Sequence, residues 1–202
     1  DAVLGELGAE RAEETGTSRV NPAAADAIVS LLKAWGGHKP FVTWAAGQVK
    51  HAHVIGVICM YAAQRDLIRR KVQAANLPEA FRRIIKIDTV DSYQGKENPI
   101  VILSLVRNNT QGAPERGLAT IKAGFLGRPN RINVAVSRAM DRLVIVGAKS
   151  RWRVGTPMQR LAEAVELRFQ AGEAKIIPAS AVLDGGADAD TPEAPALIET
   201  EA

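Results

Sequence analysis

Two polar turns flanking short, unbroken apolar runs constrain this chain more than anything else in it. Between residues 89 and 147, TVDSYQGKE leads into IVILSLV (residues 100–106), and RINVAVSRAMDRLVIVG closes the segment. Short apolar runs rich in β-branched residues are what parallel strands covered on both faces look like. The pattern predicts a three-layer α/β domain around a mainly parallel sheet. Its polar turns should lie along one sheet edge, where ligands of open sheets sit.

The remaining elements fit that frame. VIGVICM (residues 54–60) followed by AAQRDLIRRKVQAA reads as one βα unit. In its helix Ala63, Leu67 and Val72 face the sheet while Arg65, Arg69 and Arg70 face water. Pro78 ends that unit, and a second strand covers residues 84–90. Upstream, Asn21-Pro22 reads as a helix start, with proline at the first helical position where its missing donor is not needed. Ala24, Ile28, Leu31, Leu32 and Trp35 give that helix a buried face, and Gly36-Gly37 ends it. Residues 41–53 stay open between helix and strand; His51 and His53 in it read as solvated, since no further metal ligand is near. A strand over residues 143–146 is followed by a basic turn (Lys149, Arg151, Arg153). The helix over residues 156–170 then buries Met158, Leu161, Ala162, Val165 and Phe169. Residues 1–20 look like a linker or remnant of something upstream, residues 21–171 like the domain, and residues 172–202 like a disordered acidic tail.

At 202 residues, 47% of them hydrophobic, the chain can bury one ordinary core. It has no apolar run of about 18 residues and no leader-like start, so the expectation is a soluble, cytoplasmic protein with no membrane contact. Its single cysteine, Cys59, sits in an apolar run, which leaves neither a disulfide nor a zinc cluster to be built, and no metal ligand is assigned. The net charge of +4 hides a division: residues 27–172 carry 23 bases against 9 acids, a surplus of +14 between two acidic ends. Such a surplus attracts polyanions; a merely solvated basic surface is the other reading.

The polar turns hold the side chains that can do chemistry. Asp91 and Gln94 have capping-box spacing, so a short helical turn starts there, and Gly95 lets a ligand approach the backbone. Pro99 stops the turn, and Asn98 before it is pushed toward an extended conformation. Gln94 can donate and accept together, and Glu97 can accept from two hydroxyls such as those of a ribose. An ordinary capped turn between strands would carry the same residues. In a helix starting near Asn130, Arg131 and Arg138 are seven residues apart and share a face, with Ile132, Val136 and Ala139 on the apolar one. Paired guanidinium forks suit phosphate oxygens, although solvated or carboxylate-paired arginines would show the same spacing.

Taken together, these segments resemble superfamily 1 helicases of the nonsense-mediated-decay helicase type. TVDSYQGKE with IVILSLVR resembles their motif V, RINVAVSRAMDRLVIVG their motif VI, and GVICMYAAQ their motif IV, in the family's order and spacing. Cys59-Met60 departs from the usual Thr-Pro, and Asn98-Pro99 from a small residue and an acid. No G-x-x-x-x-G-K-[ST] phosphate loop and no Asp-Glu strand occurs in the 202 residues. The resemblance is therefore to the second RecA-like domain alone, a P-loop NTPase fold without its own phosphate loop. It implies an ATP-dependent helicase of 5′-to-3′ polarity, with ATP and Mg²⁺ lying against an upstream RecA-like domain that holds the metal. By motif position Arg138 is the arginine finger, while Gln94, Gly95 and Glu97 line the nucleotide and Arg131 supports them. Tyr61, Thr89, Asp91 and Ser92 turn toward single-stranded DNA or RNA. The connection from Asn108 to Pro129, with Arg116, Lys122 and Arg128, is a further candidate for that surface and is expected to be mobile. A nucleic-acid-binding or interaction module that keeps the fold without turning over ATP is the alternative, and a generic nucleotide-binding α/β domain a third.

Overall fold

The computed structural model describes residues 18–93 and 95–183, together with the backbone of Ala2–Leu4 and Arg11–Ala12. The strands are β1 (Ala2–Leu4), β2 (Arg11–Ala12), β3 (Arg19–Val20), β4 (Ile55–Cys59), β5 (Ile85–Thr89), β6 (Asn98–Ser104), β7 (Gly112–Glu115), β8 (Leu118–Thr120), β9 (Ala139–Val146) and β10 (Lys175–Ile177). The helices are α1 (Pro22–Gly37), α2 (Lys39–Gly47), α3 (Ala62–Ala74), α4 (Glu79–Arg83), α5 (Pro129–Val136), α6 (Pro157–Gln170) and α7 (Ala179–Leu183).

Six strands form one sheet in the order β10-β1-β9-β6-β4-β5, and every pairing in it is parallel. Each strand alternates its side chains between two faces, and the buried residues separate accordingly. Ile55, Val57, Cys59, Ile100, Ile102, Val144 and Val146 pack with α1, α3 and α7 on one face. Ile58, Val101, Leu103 and Ile145 pack with α5 and α6 on the other. This is the three-layer RecA-like architecture. β4 and β6 are buried at every residue because helices cover both faces of the central strands. Cys59 is a packing residue, fully buried, with its thiol pushed well above the ordinary value by desolvation.

Local chemistry sets the helix starts. Asn21 caps α1 by accepting from the Ala24 amide at 3.0 Å, with Pro22 at the first position. Residues 39–47 resolve as helix, capped by His38, because Phe41 lies among Trp35, Trp44 and Phe81 and so joins the core. His51 and His53 are half-exposed beyond it.

Three expectations need correction. The connection over residues 108–129 is organised: β7 and β8 form a hairpin, and a 3-10 turn, Gly124–Gly127, buries Leu126. Arg116 and Gly117 both take positive φ, 50° and 77°, the backbone of a two-residue primed hairpin turn. Phe169, in the last turn of α6, is not part of the buried stripe but 46% exposed. The third concerns α5, which ends at Val136 with Ser137 as cap; Arg138 follows the helix and Ala139 already begins β9. The ordered fold also takes in strand β1 and, after Gly172, β10 and α7, the last of which packs on α1. Residues 184–202 of the expected tail, and most of residues 1–17, lie outside the described residues.

Candidate functional site

In a parallel sheet every crossover must return to the edge where the strands start, and this separates residues that are neighbours in sequence. β5 ends at Thr89, and the Val90 amide still donates to the Cys59 carbonyl at 3.1 Å, so the 3-10 turn Asp91–Tyr93 lies beyond the C-terminal ends of β4 and β5. The chain then runs back to Asn98, whose amide donates to the Arg138 carbonyl at 3.0 Å and whose side chain donates to the His53 carbonyl at 2.6 Å. Gly95, Lys96 and Glu97 belong to that return. The candidate residues are therefore divided between two ends of the crossover, not gathered on one edge as the sequence suggested.

Tyr61, Thr89, Asp91 and Ser92 occupy the C-terminal edge. Thr89 and Ser92 share a hydroxyl hydrogen bond at 3.2 Å. Asp91 pairs with Arg131 at 3.2 Å, and the Arg131 guanidinium lies 4.6 Å from the centre of the Phe125 ring. Phe125 in turn packs against Tyr61 with ring centres 5.5 Å apart. Arg131 thus stands with the nucleic-acid candidates rather than beside Arg138, because Arg131 lies in the first turn of α5 and Arg138 beyond its last.

Arg138 sits at the other end. Its Nε donates to the Val134 carbonyl at 3.0 Å and its Nη2 to Ser137 Oγ at 2.9 Å. Its Nη1 is 3.5 Å from the Lys96 carbonyl, which places the guanidinium against the Gly95–Glu97 side of the crossover. Gly95 takes φ of +73°, available to glycine without steric penalty, and Glu97 is exposed beside it. Gln94 lies outside the described residues. Among the described residues no acid pairs with Arg138.

Residues without an assigned part hold this geometry. Tyr93 is fully buried along the crossover and donates its hydroxyl to the Lys86 carbonyl at 3.4 Å. A Cβ at Gly56 would meet both Tyr93 Oη and Asn98 Oδ1 at 2.6 Å, so β4 must be bare there for the crossover to lie against it. Gln64, the glutamine at the end of the motif IV match, is a clamp: Oε1 accepts from the Asn21 amide at 2.8 Å, and Nε2 donates to the Asn21 carbonyl at 3.2 Å and Ser104 Oγ at 3.3 Å. A glutamine one turn before Ile68 on the buried face of α3 was the available signal. Arg107, 3% exposed, donates to the Lys122 carbonyl at 2.7 Å and ties down the 108–129 connection.

With this arrangement in view, a protein family described as "AAA domain" matches residues 3–150. The chain belongs to that family. As an AAA domain it is similar to proteins named as helicases and as a regulator of nonsense transcripts. It is 43% identical over 93 residues, 46% of the chain, to "Helicase required for RNAi-mediated heterochromatin assembly 1" of Schizosaccharomyces pombe, covering 8% of that protein. It is 33% identical over 143 residues, 70% of the chain, to "Regulator of nonsense transcripts 1 homolog" of Arabidopsis thaliana, covering 10% of it. It is 38% identical over 93 residues, 46% of the chain, to "DNA polymerase alpha-associated DNA helicase A" of Saccharomyces cerevisiae, covering 12% of it. The AAA domain thus spans about a tenth of the length of these relatives. The resemblance to the second RecA-like domain of superfamily 1 helicases and the family match agree: this is a helicase-family domain. Among the described residues no helix is long and apolar enough to cross a membrane.

Proposed function

We propose that this domain is the C-terminal motor half of an ATP-dependent nucleic-acid helicase, completing an ATP site whose other wall is an upstream RecA-like domain. The observation that carries the reading is Arg138: a guanidinium oriented by Val134, Ser137 and the Lys96 turn, with its charge uncompensated by any described acid. A preoriented, unneutralised fork is what a developing γ-phosphate charge needs. Gln94, Gly95 and Glu97 are suited to the nucleotide edge on their chemistry. Mg²⁺ would be held by the upstream domain, as the helicase resemblance implies. ATP supplies the phosphoryl group; this chain's residues orient it and stabilise charge. Thr89, Asp91 and Ser92 form the track for a single strand of DNA or RNA, with Tyr61, only 5% exposed, supporting the Phe125 ring behind it, and translocation runs from 5′ to 3′.

The test joins this chain to its upstream domain and measures ATP turnover on a single strand. Arg138→Ala should lower kcat by on the order of 10³ or more with ATP affinity little changed. Arg142→Ala, on β9, should matter far less. Equal activity in the two folded variants would remove the arginine-finger assignment and leave a nucleic-acid-binding module that does not turn over ATP.

A further inference from the structure

On the Arg138 side of the crossover, a cavity of about 350 Å³ opens beside β5, one of the two edge strands of the sheet among the described residues. His53, Arg69, Arg82, Lys86 and Asp88 supply its charged and titratable lining. Arg69 is engaged, donating twice to the Ile87 carbonyl and lying 4.0 Å from Asp88. Asp88 is the only acid of the lining. Arg82 and Lys86 have no acid within ion-pair distance among the described residues, and Lys86 instead rests 4.9 Å from the Tyr93 ring centre. Lys96 comes in from the crossover close enough that its ammonium and that of Lys86 disfavour each other, and burial and this neighbour hold Lys86 below the ordinary lysine value. Burial first, then Lys86 and Lys96, likewise hold the His53 imidazole below the ordinary histidine value. Cations gathered in a cavity repel one another, and an anion between them would relieve the repulsion.

We propose that the cavity bounded by His53, Arg82 and Lys86, with Lys96 near Lys86, is a phosphate-binding site beside the Arg138 end of the domain but made of other residues. Arg82, Lys86 and Lys96 can each donate to phosphate oxygens, and the half-buried position of Arg82 and Lys86 limits screening by salt. Arg69, already committed to the Ile87 carbonyl, keeps the free edge of β5 from pairing with another strand and leaves the cavity open to a small charged group. The phosphate could belong to the backbone of a single strand or to the tail of a nucleotide, and the two sources are separable. The inference does not rest on ATP turnover and would stand in a domain that only binds.

The experiment follows the His53 imidazole by NMR titration in the 202-residue chain, with His53→Gln identifying its resonances among the three histidines. Tripolyphosphate and oligothymidylate are each compared with sodium chloride at matched ionic strength, since salt alone would weaken the lysine repulsion. An anion in the cavity offsets Lys86 and Lys96, so the His53 titration should move upward with the probe and not with chloride. A shift with both probes, larger for the oligonucleotide at equal phosphate, assigns the site to a strand; a shift with tripolyphosphate alone assigns it to a nucleotide tail. Lys86→Gln with Arg82→Gln should abolish the probe-dependent shift while leaving the amide spectrum of the core in place. For a strand, each of these changes should lower the salt slope of binding by about 0.7. No probe-dependent movement of His53, or movement that survives the double change, overturns the proposal. Loss of ATP turnover in Arg138→Ala would leave this result untouched, which keeps the two readings apart.

Discussion

Arg131 and Arg138 look equivalent in sequence, seven residues apart around one short helix, yet the structure surrounds them differently. Arg131 is neutralised by Asp91 and covered by Phe125, so its charge is spent on joining the Asp91–Tyr93 turn, the Gly124–Gly127 turn and α5. Arg138 is oriented by carbonyls and a hydroxyl, and among the described residues no acid answers its charge. The first arrangement holds loops; the second keeps a cation available for a ligand. What separates them is the end of α5: Ser137 caps it, and the Arg138 carbonyl is already accepting from Asn98 as β9 begins.

The sharpest way to break this contrast is a lysine exchange at both positions in the two-domain protein. Arg138→Lys should keep the positive charge but lose the planar fork, so turnover stays far below the parent, nearer to Arg138→Ala than to the starting protein. Arg131→Lys can still pair with Asp91 and should retain most of the turnover. Similar losses at both positions, measured as kcat with folding checked by circular dichroism, would mean that the two arginines do the same job and the contrast is wrong.

The next effect is on the crossover that holds the two ends apart. Gly56→Ala places a methyl group 2.6 Å from both Tyr93 Oη and Asn98 Oδ1, and neither can withdraw freely because Tyr93 is fully buried and Asn98 is held by His53. Overpacking of this kind costs about 1–3 kcal/mol. Chemical denaturation should show that loss, and it should be accompanied by weaker ATP turnover, since the Lys96 turn carries Arg138. Unchanged stability would show that the crossover is not seated as described.

Much of this was legible from the chain. The runs over residues 54–60 and 100–106 lie on β4 and β6 because a strand covered by helices on both sides needs apolar residues at every position. Asn21-Pro22 marks the start of α1 because capping is a local matter. The ends of the crossover were not legible. Whether Arg138 is the last residue of a helix or the first before a strand is decided by Asn98, 40 residues earlier, and pattern within RINVAVSRAMDRL cannot contain that partner. The same holds for Tyr93, which reads as part of a polar turn but is buried because β4 is bare at Gly56. The hairpin over residues 112–120 leaves only a faint trace in the sequence: Arg116-Gly117 sits between two short runs whose residues are mostly exposed and so show no apolar alternation.

The smallest effect tests what the ion pair at the Arg131 end contributes. Asp91 is 65% exposed and Arg131 25%, so water and salt screen most of their attraction. A double-mutant cycle with Asp91→Asn and Arg131→Gln should give a coupling of about 0.5 kcal/mol, falling as salt is added. The single Arg131→Gln change should exceed that coupling, because it also removes the cation from the Phe125 ring, a contact worth about another 0.5–1 kcal/mol at an exposed site. Phe125→Leu separates the two contributions: in that background the loss from Arg131→Gln should shrink toward the ion-pair coupling alone. If the loss is the same with leucine at 125 as with phenylalanine, the ring adds nothing and Arg131 is held by Asp91 alone. The joining of three loops through one guanidinium, which distinguishes this end of α5 from the Arg138 end, would then reduce to an ordinary surface pair.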